Sequence, residues 1–314
     1  MSNPRERGFP TAAAAATAQG ATAAARADGR LRLALQSNGR LTEQTVALLH
    51  SVGLSFESYG RRLFSDCRNF PLALLYGRDD DIPEYVAAGT VDLGVVGRNL
   101  LVEEGVDVVE VLPLGFGYCK LVLAVPEDSG LDAAADLAGR RVATSYPRSA
   151  SAYFAGQGIA VEIVTLSGSV EVAPALGLAD AIVELTATGS TLLLHDLVPI
   201  DTILESEAVL VANPTALADP ARRATIDRLV MRLRAALDAR LYKYVMMNAP
   251  RAALPAIQAL TPGLKAPTIV PLADPAWVAV HTVIKEDEFW DIIEQLREVG
   301  ASEILVTPIE KLLL

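Results

Sequence analysis

The feature that most constrains the fold of this chain is a regular alternation of short apolar runs with amphipathic stretches. From residue 31 onward, "LRLAL" precedes the helical pattern "LTEQTVALLHSVG", and "PLALLYG" precedes "DIPEYVAAG" and then "VDLGVVG". Short apolar runs predict buried strands, whereas apolar residues spaced by three or four predict helices. Strands that alternate with helices pack into mostly parallel sheets. The sequence therefore predicts an α/β fold.

A second cycle of alternation starts at "CKLVLAVP" (119–126). Strand patterns follow at "RRVATSYP", "VEIVTLSG" and "DAIVEL", with helical patterns between them at "LDAAADLAG", "SAYFAGQG" and "SVEVAPALGLA". After the predicted helix "TLLLHDL", the run "LESEAVLVANP" predicts a strand that returns the chain to the first sheet. Two α/β lobes joined by crossing strands leave a cleft between them, and such clefts bind ligands.

The last third of the chain has a different pattern. A long helix is predicted to begin after a cap at Asp219, and its apolar stripe contains Ile226, Leu229, Val230, Leu233 and Leu237. The order strand, helix, strand, strand, helix, strand then follows, which is the ferredoxin-like βαββαβ plan. We therefore predict a disordered Ala-rich tail over 1–30, lobe I over 31–121 plus about 205–218, lobe II over 122–204, a linking helix over 219–240 and a small C-terminal domain over 241–314.

Composition limits the classes of partner. A chain of 314 residues with 51% hydrophobic content can bury more than one core. The formal charge of −11 argues against nucleic acid or an anionic membrane as partner, because the summed field repels phosphate. Cys67 and Cys119 lack metal-ligand spacing, and the opening stretch lacks the apolar region of a secretory signal. A cytoplasmic protein is expected.

One hydroxyl-rich segment, "VELTATGST", lies between a predicted strand and a predicted helix. Its loop, which we call the hydroxyl loop, consists of Thr186, Ala187, Thr188, Gly189, Ser190 and Thr191. A glycine at a helix start turns backbone N–H groups outward, an arrangement that suits a phosphate, and Glu184 stands beside the loop. Thr and Ser are also common helix caps, so an ordinary capped turn remains an equal alternative.

Several stretches resemble the long form of ATP phosphoribosyltransferase. They are "GRL" (39–41), "RDDDIPEYVAAGTVDLGVVG" (78–97), "ATSYP" (143–147), "SGSVEVAPALGLADAIVELTATGSTL" (167–192) and "FW…GASEILVTPIEKL" (289–312). The resemblance implies transfer of the phosphoribosyl group of phosphoribosyl pyrophosphate (PRPP) to N1 of ATP, the first step of histidine biosynthesis. It also implies periplasmic-binding-protein-like lobes, a regulatory domain that binds histidine as feedback inhibitor, dependence on Mg²⁺, and a homo-oligomer between dimer and hexamer.

The resemblance also assigns roles to residues of the cleft. The hydroxyl loop would hold the 5′-phosphate of PRPP, while Glu184 would accept hydrogen bonds from the ribose hydroxyls. Glu171 matches a position near the same substrate, although a helix cap or a residue on a solvated face is its alternative role. Arg40 could reach the triphosphate or pyrophosphate as a forked donor, and Glu184, Arg40 and Arg78 are the expected catalytic residues.

Other assignments keep an alternative beside them. Asp92 is expected near the adenine or in a turn hydrogen bond, and Tyr146 is expected to line the cleft or to pack. The acids 79–81 could pair with arginine, hold Mg²⁺ through water or cap the next helix, the last role being expected for Asp81. In the C-terminal domain, Asn248 and Thr268 match family positions near the effector, with ordinary strand roles as the alternative.

Some positions depart from the family pattern. Ser37 stands where the family has a lysine, Glu184 where it has an aspartate, and the helix after "ATSYP" lacks basic residues at Ser151 and Ala152. Arg98 would compensate if it pointed into the cleft. A catalytically weakened, PRPP-binding paralogue is therefore the second hypothesis, and a transporter's solute-binding protein is the third and weakest.

Overall fold

The computed structural model describes residues 29–57, 63–261 and 263–314. The tail predicted over 1–30 lies outside the described residues except for its last two positions. The chain divides into two compact units. The first consists of the residues up to Ala47 together with Leu54–Asp227, and the second consists of Leu48–Gly53 and Arg228–Leu314. None of the helices in the described part has the length and apolar character needed to cross a membrane.

The first sheet has six strands in the order β2-β3-β1-β4-β11-β5. Strand β1 pairs in parallel with β3 and β4, whereas β11 pairs antiparallel with both β4 and β5. The strands are β1 (Leu31–Gln36), β2 (Phe64–Asp66), β3 (Leu72–Gly77), β4 (Leu93–Gly97), β5 (Val109–Pro113) and β11 (Ala208–Ala212). The helices are α1 (Arg40–Ser51), α2 (Ile82–Ala87), α3 (Arg98–Glu104) and α6 (Pro214–Ala218).

The second sheet has five strands in the order β10-β6-β9-β7-β8. Its strands are β6 (Cys119–Pro126), β7 (Arg141–Thr144), β8 (Glu162–Thr165), β9 (Ala181–Thr186) and β10 (Leu197–Ser206), and its helices are α4 (Pro147–Gly156) and α5 (Ser190–Leu194). The chain enters this sheet through β6 and leaves it through β10, after which β11 joins the first sheet. The predicted pair of α/β lobes with a returning strand is thus confirmed.

This topology decides where polar side chains meet. Because β1, β3 and β4 are parallel, the turns that follow them lie at one edge of the first sheet. Strands β7 and β9 are also parallel, so Tyr146 and the hydroxyl loop follow the same edge of the second sheet. These carboxyl-end edges are the sites where open α/β sheets bind ligands.

The second unit has the predicted ferredoxin-like order. Helix α7 (Pro220–Arg240) contributes to both units, and Asp219 caps it by accepting the backbone N–H groups of Ala221 and Arg222 at 2.9 and 3.0 Å. An antiparallel sheet follows in the order β13-β14-β12-β15. Its elements are β12 (Tyr242–Pro250), α8 (Leu254–Leu260), β13 (Thr268–Pro271), β14 (Trp277–Lys285), α9 (Phe289–Glu298) and β15 (Ser302–Pro308).

Local expectations were wrong at several places. Asp81 does not cap α2 through its side chain; it ends a 3-10 turn, and its carboxylate accepts the Tyr85 hydroxyl instead. The helix expected over 131–139 is only a 3-10 turn at Ala134–Leu137. Strand β10 begins at Leu197, the last residue of a predicted helix, and most of it was not predicted as a strand. It contains Pro199, and proline disfavours a strand prediction. The structure accommodates this proline because β10 lies at the edge of its sheet, where a missing N–H group is tolerated.

Candidate active site

The hydroxyl loop closes on itself through its own side chains. Gly189 precedes α5 with φ of +78°, a conformation that favours glycine, and its N–H donates to Thr186 Oγ1 at 2.8 Å. The hydroxyls of Thr188 and Ser190 lie 3.0 Å apart. Thr188, Ser190 and Thr191 are exposed to solvent. The loop therefore presents hydroxyl groups at a strand-to-helix turn, which suits an anion of small size.

Glu184 is a half-buried carboxylate just before this loop. Its Oε1 accepts the backbone N–H of Leu185 at 2.9 Å. Burial raises the pKa of Glu184, the Leu185 N–H lowers it, and the nearby charge of Glu171 raises it further. Glu171 lies in the 3-10 turn Val170–Val172, next to Ser169, whose φ is +50°. The structure thus brings Glu171 and Glu184 together.

Tyr146 connects this group to the other lobe. Burial raises its pKa well above the ordinary value, and the negative charges of Glu184, Asp80 and Asp79 raise it further. The phenol is protonated at neutral pH, as an ordinary tyrosine is, and can donate a hydrogen bond. Because Asp79 and Asp80 follow β3 in the first lobe, the charges of acids from both lobes act on Tyr146. We call these five residues the cleft group: Glu171, Glu184, Tyr146, Asp79 and Asp80.

Two arginines were expected to face this group. Arg78 follows β3, is exposed, and exerts its positive charge on Asp80, whose pKa is nevertheless raised by burial and by Asp79. Arg40 begins α1, and its side chain lies outside the described part of the structure. The turn before it is held by Ser37, whose N–H donates to Gly77 O at 2.8 Å. Of the two, only Arg78 is seen beside the cleft group.

Arg98 does not supply the missing charge in the cleft. Its Nε and Nη2 donate to the two carboxylate oxygens of Glu110 at 3.0 and 2.8 Å, and its Nη1 donates to Glu207 at 3.3 Å. This forked pair lowers the pKa of Glu110, although its burial opposes the shift. Arg98 could compensate for Ser37 only if it pointed into the cleft, and in this structure its guanidinium is paired with two glutamates instead.

Asp92 lies apart from the cleft group. It precedes β4, so it belongs to the amino-end edge of the sheet, opposite the turns described above. One of its oxygens accepts the backbone N–H of Arg32 at 2.8 Å, and the other accepts Arg222 Nη1 at 2.9 Å. Its side chain is 3% exposed. This placement fits a structural ion pair, so the predicted role near the adenine gains no support from it.

A contact between the lobes was missed from the sequence. Glu103, in α3, accepts the backbone N–H groups of Arg148 and Ser149 at 2.8 and 2.9 Å and the Ser149 hydroxyl at 2.7 Å. In return, Arg148 Nη1 donates to Glu104 O at 2.9 Å. Each lobe thus caps a helix end of the other. The only sequence signal for this contact was the pair of acids in "VEEG", which ends α3. The seven-residue helix α3 was itself not predicted, so the signal was not used.

The C-terminal domain has its own cavity, of about 420 Å³. It is lined by Asn248, Leu272, Ala273, Asp274, Trp277, Ser302 and Glu303. Asn248 also donates to the Glu303 carboxylate. Thr268 does not line this cavity; it is exposed on β13, opposite His281 of β14. The structure therefore separates the two residues that the sequence had grouped.

Among the described residues, no cluster of three or more His, Cys, Asp or Glu side chains can enclose a metal ion. Asp79 and Asp80 are the acids that best fit a Mg²⁺ site. Asp79 accepts a hydrogen bond from Gln36 Nε2 at 3.2 Å, and burial raises the pKa of Asp80. Mg²⁺ in nucleotide enzymes often takes one or two carboxylates and completes its shell with water and phosphate. Two adjacent acids fit that arrangement.

Two α/β lobes, of which the second has a half-buried carboxylate before a hydroxyl loop, together with a ferredoxin-like domain, fit the class of two-lobed phosphoribosyltransferases. A family model described as ATP phosphoribosyltransferase matches residues 78–235, and a model of the same family's C-terminal domain matches residues 239–311. The chain belongs to the ATP phosphoribosyltransferase family.

Individual relatives agree with this assignment. The ATP phosphoribosyltransferase of Cytophaga hutchinsonii is 44% identical over 282 residues, covering 90% of this chain and 98% of that protein. That of Bacteroides fragilis is 42% identical over 284 residues, covering 90% and 100%. In a solved complex of ATP phosphoribosyl transferase (HisG:HisZ) from Thermotoga maritima, one chain is 28% identical with a TM-score of 0.58, covering 66% of this chain and 98% of that one.

Proposed function

We propose that this enzyme transfers the phosphoribosyl group of PRPP to N1 of ATP at the cleft group and releases pyrophosphate. N1 of adenine has a free lone pair, so the reaction needs no strong base. The enzyme must align two polyanions and exclude water from a ribose ring that gains positive character. ATP and PRPP are intracellular metabolites, which supports a cytoplasmic location.

The observation that carries the proposal is the position of the half-buried Glu184 on the same strand, two residues before the first residue of the hydroxyl loop. The loop would receive the 5′-phosphate through the hydroxyls of Thr188, Ser190 and Thr191 and through backbone N–H groups. Glu184 would accept the ribose hydroxyls, with Glu171 beside it. Its carboxylate near the ring also stabilises the positive charge that develops in the transition state.

Tyr146 and Arg78 would act on the other parts of the substrates. The Tyr146 hydroxyl is protonated at neutral pH, so it can donate to a phosphate or ribose oxygen. Arg78 is exposed beside the acids and can reach a polyphosphate. Arg40 is assigned the same role by its position at the start of α1.

Asp79 and Asp80 would hold Mg²⁺ together with the polyphosphates. The ion, when bound, neutralises part of the charge on the departing pyrophosphate. Burial, and after it the charge of Asp79, raises the pKa of Asp80, and a cation bound by the two acids would relieve the repulsion between them.

The C-terminal cavity is proposed to bind histidine as feedback inhibitor. Its two carboxylates, Asp274 and Glu303, match the ammonium group of an amino acid, while Asn248 and Trp277 suit an imidazole ring. Thr268 would act only indirectly, because it lies outside the cavity. A homo-oligomer between dimer and hexamer is proposed from the family alone.

An ultraviolet assay tests the proposal, since ribosylation at N1 changes the absorbance of adenine. Purified protein is given Mg²⁺, ATP, PRPP and pyrophosphatase, with and without histidine. We expect product formation that histidine suppresses, and we expect Thr191→Ala to raise KM for PRPP about tenfold through loss of one bond to a charged group. Thr90→Ala, at an exposed threonine outside the loop, is the matched control. Absent turnover with retained PRPP binding would favour the weakened paralogue instead.

A further inference from the structure

The distribution of lysine along the chain is uneven. Lys120 is the first lysine of the sequence, and the others are Lys243, Lys265, Lys285 and Lys311. The two α/β lobes therefore contain a single ammonium group. Ser37 stands where a lysine was expected, and Arg98 is occupied by two glutamates. The position of Lys120 consequently matters for any anion bound by the lobes.

Lys120 lies opposite the start of the hydroxyl loop. In the antiparallel pair of β6 and β9 it is the direct partner of Thr186. Directly opposed residues project their side chains from the same face of a sheet, with Cβ atoms about 5 Å apart. A cavity of about 150 Å³ is lined by Lys120 together with Ala187 of the loop. The lysine and the loop therefore share one small recess.

The ammonium group of Lys120 forms an exposed ion pair with a neighbouring carboxylate. Lys120 Nζ lies 2.7 Å from Glu205 Oε1 on the adjacent strand β10, and Glu205 lines the same cavity. The side chains are 55% and 73% exposed. Ion pairs between exposed residues are weak, because water solvates both partners well. A phosphate dianion in the recess can therefore compete successfully with Glu205 for the lysine.

We propose that Lys120 is the cation that binds the 5′-phosphate of PRPP at the hydroxyl loop, and that it exchanges Glu205 for this phosphate when the substrate enters. The proposal rests on the assignment of the hydroxyl loop as the 5′-phosphate site. Hydroxyl and amide donors in the loop carry no net charge, so a lysine on its flexible stem supplies the positive charge that the loop lacks.

The experiment measures binding of two probes by calorimetry and steady-state kinetics for PRPP. Ribose 5-phosphate carries the 5′-phosphate without the pyrophosphate, whereas inorganic pyrophosphate lacks the 5′-phosphate. We expect Lys120→Gln to weaken ribose 5-phosphate binding and to raise KM for PRPP, each about tenfold, with pyrophosphate binding unchanged. Lys120→Arg should recover most of the loss. Glu205→Gln should leave KM unchanged or lower it, because it removes the competing carboxylate.

Lys285→Gln is the matched control, since Lys285 also forms an exposed ion pair, with Glu288 in the C-terminal domain. Thermal unfolding of each variant checks that the fold is retained. If Thr188→Ala and Thr191→Ala weaken ribose 5-phosphate binding but Lys120→Gln does not, the lysine assignment is overturned and the loop assignment stands. If none of the three weakens it, the loop is not the 5′-phosphate site. Weakened binding of pyrophosphate in Lys120→Gln would place the lysine at the leaving group and overturn the proposal.

Discussion

Carboxylates at the two edges of the lobes have opposite surroundings. Asp92, at the amino-end edge, is almost fully buried and accepts bonds from Arg32 and Arg222. Glu184, at a carboxyl-end edge, is half-buried, receives only a backbone N–H among the contacts described, and has a raised pKa. A buried carboxylate paired with arginine cannot be removed without leaving a buried charge uncompensated, whereas one kept near other acids is available for a ligand. The protein's surroundings, more than the residue type, distinguish the two.

The strongest test of this comparison removes the charge of Glu184. We expect Glu184→Gln to lower kcat by roughly 10²- to 10³-fold, the usual cost of losing a group that stabilises developing charge. The free energy of unfolding should not fall. Glu162→Gln, at an exposed glutamate of β8, serves as the control in the ultraviolet assay and in urea unfolding. An unchanged kcat would remove Glu184 from the catalytic role.

The matching change at the other edge should affect stability instead. Asp92→Asn leaves two arginines without their shared anion, and loss of one partner of a buried ion pair costs about 3 kcal/mol of unfolding free energy. KM for ATP is expected to stay near the wild-type value. Urea unfolding and kinetics separate these outcomes, with Asp128→Asn at an exposed site as control. A raised KM for ATP without loss of stability would restore the predicted role of Asp92 near the adenine.

Glu103 differs from both Asp92 and Glu184, because its carboxylate accepts hydrogen bonds from uncharged N–H and O–H groups of the other lobe. Glu103→Gln keeps the shape but removes the charge at the start of α4. We expect a loss of about 1 kcal/mol, typical for a helix cap. Glu104→Gln is the matched control, since only the backbone oxygen of Glu104 enters this contact. Equal stability of both variants would show that the interlobe contact contributes nothing.

The smallest expected effects are on the pH dependence of stability, where Glu184 and Glu110 act with opposite signs. Burial raises the pKa of Glu184, so the folded chain binds this proton more tightly than the unfolded chain, and stability falls as pH rises through the folded-state pKa. Glu184→Gln should therefore be more stable than the wild type at pH 7, with the gain vanishing below the ordinary carboxyl range.

Glu110 behaves in the reverse way, because Arg98 lowers its pKa. The stability that it contributes is present above the ordinary carboxyl range and is lost as pH falls through the lowered pKa. Glu110→Gln should cost less than about 1 kcal/mol at pH 7, as expected for an exposed pair, and nothing at low pH. Unfolding curves measured across pH check both signs. Parallel curves for the two variants would contradict the assigned directions.

The sequence was sufficient where hydrophobic patterning and the family stretches were strong. The strands "CKLVLAVP" and "WVAVHTVIK" were predicted to the residue, as were the ferredoxin-like order and the Asp219 cap. It was insufficient where long-range contacts decide the outcome. Nothing local in "TVDLG" shows that Asp92 will meet Arg222, which lies 130 residues further along the chain. The partners of Arg98 and the contact of Glu103 with α4 are of the same kind.

The position of β11 in the first sheet also has a consequence for biosynthesis. Strand β5 has β11 as its neighbour at the edge of that sheet, yet residues 114–207 separate the two in the chain. A nascent chain leaving the ribosome therefore exposes β5 unpaired until the whole second lobe has been made. We expect the lobe that is translated second to be completed first, and β11 to be the strand whose arrival finishes the lobe that was started earlier.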